Sequence, residues 1–262
     1  MSFANIAGHQ VYYELSGRGE RTLVLFNGIT MSTVAWTLLL PQLEPHFRLL
    51  RLDFLGQGLS DHPPAEHYAL ADQADLAAGL VEHLQLGPVY VAGLSYGGMV
   101  AQHFAHRHPE RAERLLLAAT LAWADSVNHR IGDSWIAAHH GGGLELRYEI
   151  SVPWLYSSRF LASNAGMVED MKALAGLVNW ESAIRLINGV KQHDARTWLP
   201  QLRLPVHILV GDEDRLTPLY QSQLLHKLIP DAELEILPGA GHVLHIEAAE
   251  AFARSLIRFS QS

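Results

Sequence analysis

Apolar residues in this chain gather into short uninterrupted runs, separated by stretches with helical spacing. Residues 9–15 (HQVYYEL) alternate apolar and polar, the signature of a half-exposed strand. Residues 22–26 (TLVLF), 47–52 (FRLLRL), 88–92 (PVYVA), 114–119 (RLLLAA), 205–210 (PVHILV) and 233–237 (ELEIL) do not alternate. Continuous runs of this length predict strands covered on both faces, as in a mostly parallel sheet. Between them lie segments that predict helices. Residues 72–85 carry Leu76, Leu80 and Leu84 four apart, and residues 97–107 open with Gly97 and Gly98. Residues 219–228 and 246–259 have the same character.

Strands that alternate with helices predict an α/β fold, a mostly parallel sheet flanked by helices on both faces. The rhythm stops between Leu121 and Pro200. That stretch holds Trp135, Trp154, Trp180 and Trp198, a Gly141-Gly142-Gly143 turn, and helix-like segments at 167–178 and 181–192. It reads as a helical cap at residues 122–200, inserted into a core made of residues 1–121 and 201–262. Its tryptophans either line a pocket beneath it or fill the insertion's own small core.

Composition narrows the function. The chain has 262 residues, 48% of them apolar and 18% charged, enough apolar surface to rule out a disordered chain. It contains no cysteine, which excludes disulfides, thiolate chemistry and Cys-ligated metals. Lysine and arginine total 19 against 27 aspartates and glutamates, a net charge of −8. This acidic balance argues against a nucleic-acid partner. The opening MSFANIAGHQ lacks a basic segment followed by an apolar run, and no stretch is long and apolar enough for a membrane span. The expectation is a cytoplasmic protein; oligomeric state is left open.

Candidate chemistry concentrates at the ends of the predicted strands. Gly93-Leu94-Ser95-Tyr96-Gly97 joins the strand at 88–92 to the helix at 97–107. A serine on a tight strand-to-helix turn presents its hydroxyl at the sheet's carboxyl edge, and flanking glycines avoid clashes there. It also sits at a helix N-terminus, which favours developing negative charge. A serine needs a base to take its proton. Among 16 histidines, His242 stands out in Pro238-Gly239-Ala240-Gly241-His242, again directly after a strand, with His245 as its local competitor. The base needs an orienting carboxylate. Gly211-Asp212-Glu213-Asp214 ends another strand and offers three acids. For an oxyanion, the backbone N–H of Tyr96 follows the serine. The loop Asn27-Gly28-Ile29 after strand 22–26 can supply a second donor from Ile29, with the Asn27 side chain pinning the loop. No metal or cofactor motif occurs; His139-His140 and His106-x-His108 read as surface pairs, and the triple glycine follows no strand and is no phosphate loop.

Taken together, Asn27-Gly28, the segment Asp53-Phe54-Leu55-Gly56-Gln57-Gly58-Leu59-Ser60, the turn 93–97, Gly211 to Asp214 and Gly241-His242 resemble the α/β-hydrolase fold superfamily over nearly the whole chain. The resemblance implies a Ser-His-Asp serine hydrolase with a helical cap. It implies that Asp214 is the acid, with Asp212 second. Its substrate would be a small or medium carboxylic ester or lactone, a small acyl compound, handled without a cofactor. Most members carry His-Gly where this chain has Asn27-Gly28. An Asn there is similar to the enol-lactone hydrolases and to the 3-hydroxyacyl acyltransferases of the rhamnolipid and polyester-precursor pathways. An acyltransferase moving such a group from a thioester to a hydroxyl or thiol is therefore the alternative. A non-enzymatic binding protein on this fold would have no need of all three residues.

Overall fold

The computed structural model describes residues 2–261. Among them, eight strands form one sheet: β1 (Ser2–Ile6), β2 (His9–Gly17), β3 (Arg21–Phe26), β4 (Phe47–Leu52), β5 (Val89–Leu94), β6 (Ala112–Ala118), β7 (Val206–Gly211) and β8 (Glu233–Leu237). The spatial order is β1-β2-β4-β3-β5-β6-β7-β8. β2 pairs antiparallel with β1 and β4, and every pairing from β4 to β8 is parallel. The predicted runs all became strands. β1, too short and too exposed to carry a pattern, was not predicted.

The uninterrupted apolar runs are explained by two cores. On β3, Leu23 and Leu25 point into one and Val24 and Phe26 into the other. β6 repeats this with Leu116 and Ala118 against Leu115 and Leu117. Helices α2 (Leu70–His83), α3 (Tyr96–Arg107) and α8 (Leu219–Leu228) cover one face. The other face is covered by α1 (Leu40–Leu43), α9 (Leu244–Glu247) and α10 (Ala249–Gln261), with Trp36, Phe252 and Leu256 buried there.

Chain order reverses around β3. The chain passes from β3 to β4 on one side, then crosses to β5 on the other. Crevices open beyond the carboxyl ends of strands at such a point, because the loops there diverge. The turn after β5 lies here. Ser95 adopts φ 55°, ψ −113°, a left-handed conformation that costs a non-glycine residue about 1–3 kcal/mol. Neighbours fix it. Its N–H donates to the Ala118 carbonyl at 2.8 Å, and its carbonyl accepts from Gly98 N–H at 2.9 Å and Thr120 Oγ1 at 2.7 Å. A Cβ on Gly93 would overlap the backbone of Gly97, and one on Gly97 would overlap the carbonyls of Phe26 and Asn27.

Between β6 and β7 the chain is helical, with α4 (Ser126–Leu155), α5 (Ser158–Ser163), α6 (Ala165–Ala175) and α7 (Trp180–Val190). The glycines read as a turn at 141–143 instead interrupt α4, where Gly142 and Gly143 leave helical geometry. The helix before them was hidden in the sequence, because three glycines and paired histidines dilute its periodicity. The outgoing and returning chains cross at a short bridge. Ala124 N–H donates to the His193 carbonyl and Ala195 N–H to the Ala122 carbonyl, both at 2.9 Å. Among the described residues no helix is long and apolar enough to cross a membrane.

Two predictions follow from this packing. Gly97→Ala forces a methyl into main-chain carbonyls that cannot retreat, so it destabilises by about 3 kcal/mol or more, read from urea denaturation; a midpoint equal to wild type would contradict the close approach. The second concerns His193, buried at the crossing beside His103, where burial pushes its imidazole from the ordinary 6.5 down to about 3. Below pH 6.5 the unfolded chain takes up a proton there that the folded chain refuses. Stability is therefore complete above 6.5 and declines as pH falls toward 3, by about 2 kcal/mol at pH 5 from this residue. Denaturation of His193→Gln at pH 7.5 and 5 is expected to show a decline smaller by that amount. An unchanged decline would assign the acid sensitivity elsewhere.

Candidate active site

Four loops at the carboxyl edge of the sheet bring the predicted residues together. Ser95 Oγ lies 2.9 Å from His242 Nε2, and His242 Nδ1 lies 2.9 Å from Asp214 Oδ2. All three are buried; the Asp214 side chain is wholly so.

His242 is held by backbone on either side. Its N–H donates to the Leu155 carbonyl at 3.0 Å. Glu247 accepts from Gly241 N–H and from Ser157 N–H, both at 3.0 Å. Thus one carboxylate ties the histidine loop to the end of α4. Nothing in the sequence marked Glu247, because its partners lie in a distant segment and in the loop's backbone.

The three acids after β7 separate clearly. Asp212 is exposed and accepts from Gly239 N–H at 2.6 Å. Glu213 accepts from Ser158 N–H at 2.9 Å. Asp214 alone of the three reaches His242. Its Oδ1 accepts from Leu216 N–H at 2.9 Å and Thr217 N–H at 2.8 Å, and its Oδ2 accepts from Thr217 Oγ1 at 2.8 Å. These bonds, with the one from the imidazole, replace the hydration lost on burial. Thr217 is a residue that sequence reasoning missed, although its spacing three beyond Asp214 is that of a local side-chain-to-backbone turn. His245 does not face Ser95. It packs beside Trp36, at 5.9 Å between rings, and burial lowers its imidazole to about 3.

The loop after β3 is pinned as its sequence suggested. Asn27 Nδ2 donates to the Leu52 carbonyl at 2.8 Å, and Trp36 Nε1 donates to Asn27 Oδ1 at 2.7 Å. Gln57 Nε2 donates to the Gly28 carbonyl at 2.8 Å and to that of Ile29 at 3.2 Å. Gln57 is itself placed by the turn 53–60. There Asp53 accepts from Thr33 N–H at 2.7 Å and Leu59 N–H at 2.9 Å, while burial raises its carboxyl above the usual range. The Tyr96 N–H, first of α3, has no acceptor within its own helix.

Ile29, Ser95 and Tyr96 line one cavity of about 60 Å³, together with Trp135, Ile187 and Leu216. Trp135 therefore lines the pocket. Trp154 and Trp180 pack behind it against Ile131, Trp135 and Ile187, and Trp198 stacks on His106 at 4.6 Å. The histidine pairs are less superficial than their sequence implied. His139 stacks on Trp180 at 5.5 Å, and His108 Nε2 lies 2.8 Å from Asp75. Among the described residues no group of three or more His, Asp or Glu side chains is placed to hold a metal ion.

Comparison with known proteins agrees with the fold. A poly(3-hydroxyalkanoate) depolymerase of Ectopseudomonas oleovorans is 31% identical over 91% of this chain and 84% of its own length. A pimeloyl-[acyl-carrier protein] methyl ester esterase of Vibrio vulnificus is 28% identical over 95% of this chain and 98% of its own. The crystal structure of MGS-M2, an alpha/beta hydrolase enzyme from a Medee basin deep-sea metagenome library, superposes with a TM-score of 0.95. It shares 28% identity and covers all of this chain and 98% of its own. The sequence pattern of the alpha/beta hydrolase family matches residues 23–255, and this chain belongs to that family.

Proposed function

We propose that this protein is a serine hydrolase that cleaves a small carboxylic ester or lactone through an acyl-enzyme. The observation that carries the reading is the unbroken hydrogen-bonded relay from Asp214 through His242 to Ser95, at 2.9 Å for each step, closing on a small apolar cavity. Ser95 Oγ attacks the substrate carbonyl while His242 Nε2 takes its proton. Asp214 accepts from Nδ1–H, fixes the ring's tautomer and stabilises the imidazolium that forms. The amides of Tyr96 and Ile29 hold the oxyanion of the tetrahedral intermediate. The imidazolium then returns the proton to the departing alkoxide. Water, deprotonated by His242, releases the acid and restores Ser95.

The helices between residues 122 and 200 act as the cap in this reading, since Trp135 of α4 and Ile187 of α7 line the cavity with Ser95. The esterase named above supports an ester as substrate. The depolymerase and the methyl ester esterase named above support water, rather than a second chain, as the acceptor. With an acyl-thioester and an added alcohol or thiol, the free acid is therefore the main product; predominance of the transferred acyl group would favour the acyltransferase.

Ser95→Ala is expected to lose about four orders of magnitude in kcat/KM on a p-nitrophenyl ester. Near-normal turnover in that variant would refute the assignment. A fluorophosphonate probe should label Ser95 in the folded protein, and an unlabelled Ser95 would favour a binding protein. Thr217→Val removes the hydroxyl's bond to Asp214 and its 3.3 Å contact with His242 Nδ1 but leaves the backbone bonds, so kcat falls roughly tenfold at similar KM while Thr217→Ser restores it. Equal losses in both variants would make Thr217 a packing residue only.

A further inference from the structure

The cavity at Ser95 has a second polar focus. Most of its lining is hydrocarbon, and the polar side chains of Thr217 and Asn128 there are engaged. Thr217 binds Asp214, and Asn128 donates to the Leu216 carbonyl at 3.0 Å and accepts from Asp125 N–H at 3.2 Å. His129 and Lys191 differ. His129 lines the cavity half-buried, and its ring makes no hydrogen bond among the described residues. Lys191 lines it from the end of α7, its stem passing where a Cβ on Gly132 of α4 would come within 3.6 Å. The seam between α4 and α7 thus places Lys191 and His129 on the wall of the chamber that holds the candidate nucleophile.

The charge is loosely held, because its partner Asp133 is exposed and a solvent-facing ion pair is weak. An ammonium has three donors. Lys191 Nζ contacts Asp133 Oδ1 at 2.5 Å, and Asn188 Oδ1 lies at 3.5 Å, the limit of a bond. At least one donor is left over. Asp133 is also shared, being held below the usual carboxylate range by Lys191 first and then by Arg130 and His129. Lys191, Arg130 and Asp133 together keep one positive charge at this seam. A cationic focus beside a short apolar wall is complementary to an acyl chain that ends in a carboxylate, and within a cavity such an attraction exceeds its value in water.

We infer that the acyl group of the substrate carries a terminal carboxylate, as in the monoester of a short dicarboxylic acid, and that Lys191 and His129 recognise it. Lys191 gives a charge-assisted hydrogen bond to the carboxylate, His129 a second, and Asp133 holds the ammonium in place while the cavity is empty. The inference rests on Ser95 being the nucleophile only for the orientation of the ester, not for the binding of the acid.

Two measurements separate the claims. The first is binding of monomethyl glutarate and of methyl butyrate to Ser95→Ala protein by calorimetry, which needs no turnover. Monomethyl glutarate is expected to bind at least roughly tenfold tighter, and Lys191→Met, which keeps the stem, to erase that preference. His129→Phe should reduce it, and Asp133→Asn should increase it, because a competing carboxylate is gone. Equal binding of the two esters, or a preference unmoved by Lys191→Met, would overturn the proposal. The second is turnover by the wild type, where the ratio of kcat/KM for monomethyl glutarate over methyl butyrate should follow the binding preference. Turnover of methyl butyrate with no preference for the half-ester would sink the carboxylate site and leave the hydrolase intact. Preferential binding with neither ester cleaved would do the reverse.

Discussion

The site depends on one backbone conformation, the left-handed turn at Ser95. A serine gains nothing from that geometry in isolation. It is held because β3, β5 and α3 approach so closely that glycine alone fits at 93 and 97, and because the carbonyl of Ser95 is gripped by Gly98 and Thr120. The sheet and its two cores bear the strain. What results is a hydroxyl thrust beyond the strand ends, at the first turn of a helix whose leading amide has no internal acceptor. The place of the Ser95 hydroxyl, the unshared Tyr96 amide and their position on the cavity wall all follow from the same turn.

Electrostatics completes what the backbone begins. A carboxylate as buried as Asp214 would be costly unless its oxygens were satisfied, and three bonds from the 216–217 turn satisfy it before the imidazole arrives. Asp214 is thereby rigid, and His242 inherits that rigidity. Glu247 does comparable work from the other side by clamping Gly241 and Ser157. Gln57 does it for the Gly28–Ile29 loop. None of the three supporting side chains touches Ser95. Each fixes a loop of the candidate site, so their influence is on orientation.

Helices α4 and α7 supply much of the cavity wall. They roof a small space with Trp135 and Ile187, and their seam carries His129 and Lys191. Here the chain is least regular, with α4 broken at Gly142 and Gly143 and the two ends crossing near His193. A segment inserted between two strands can vary its lining without disturbing the turn at Ser95, which is how a single fold accommodates different substrates.

The sequence by itself determined the sheet, the turn at 93–97 and the strand ends where Asp214, His242 and the Ile29 loop reside. Those features are local, set by periodicity, by glycine and by the order of strands and helices. It did not determine which of three neighbouring acids meets the imidazole, that Thr217, Glu247 and Gln57 hold the loops, or that Trp135 lines the cavity while Trp154 and Trp180 stand behind it. Nor did it show the helix before Gly141. Such outcomes depend on contacts between distant segments, with 147 positions separating Ser95 from His242 and 90 separating Ser157 from Glu247. Pairings of that kind have no period and no spacing to read; only the packing of the whole chain selects them.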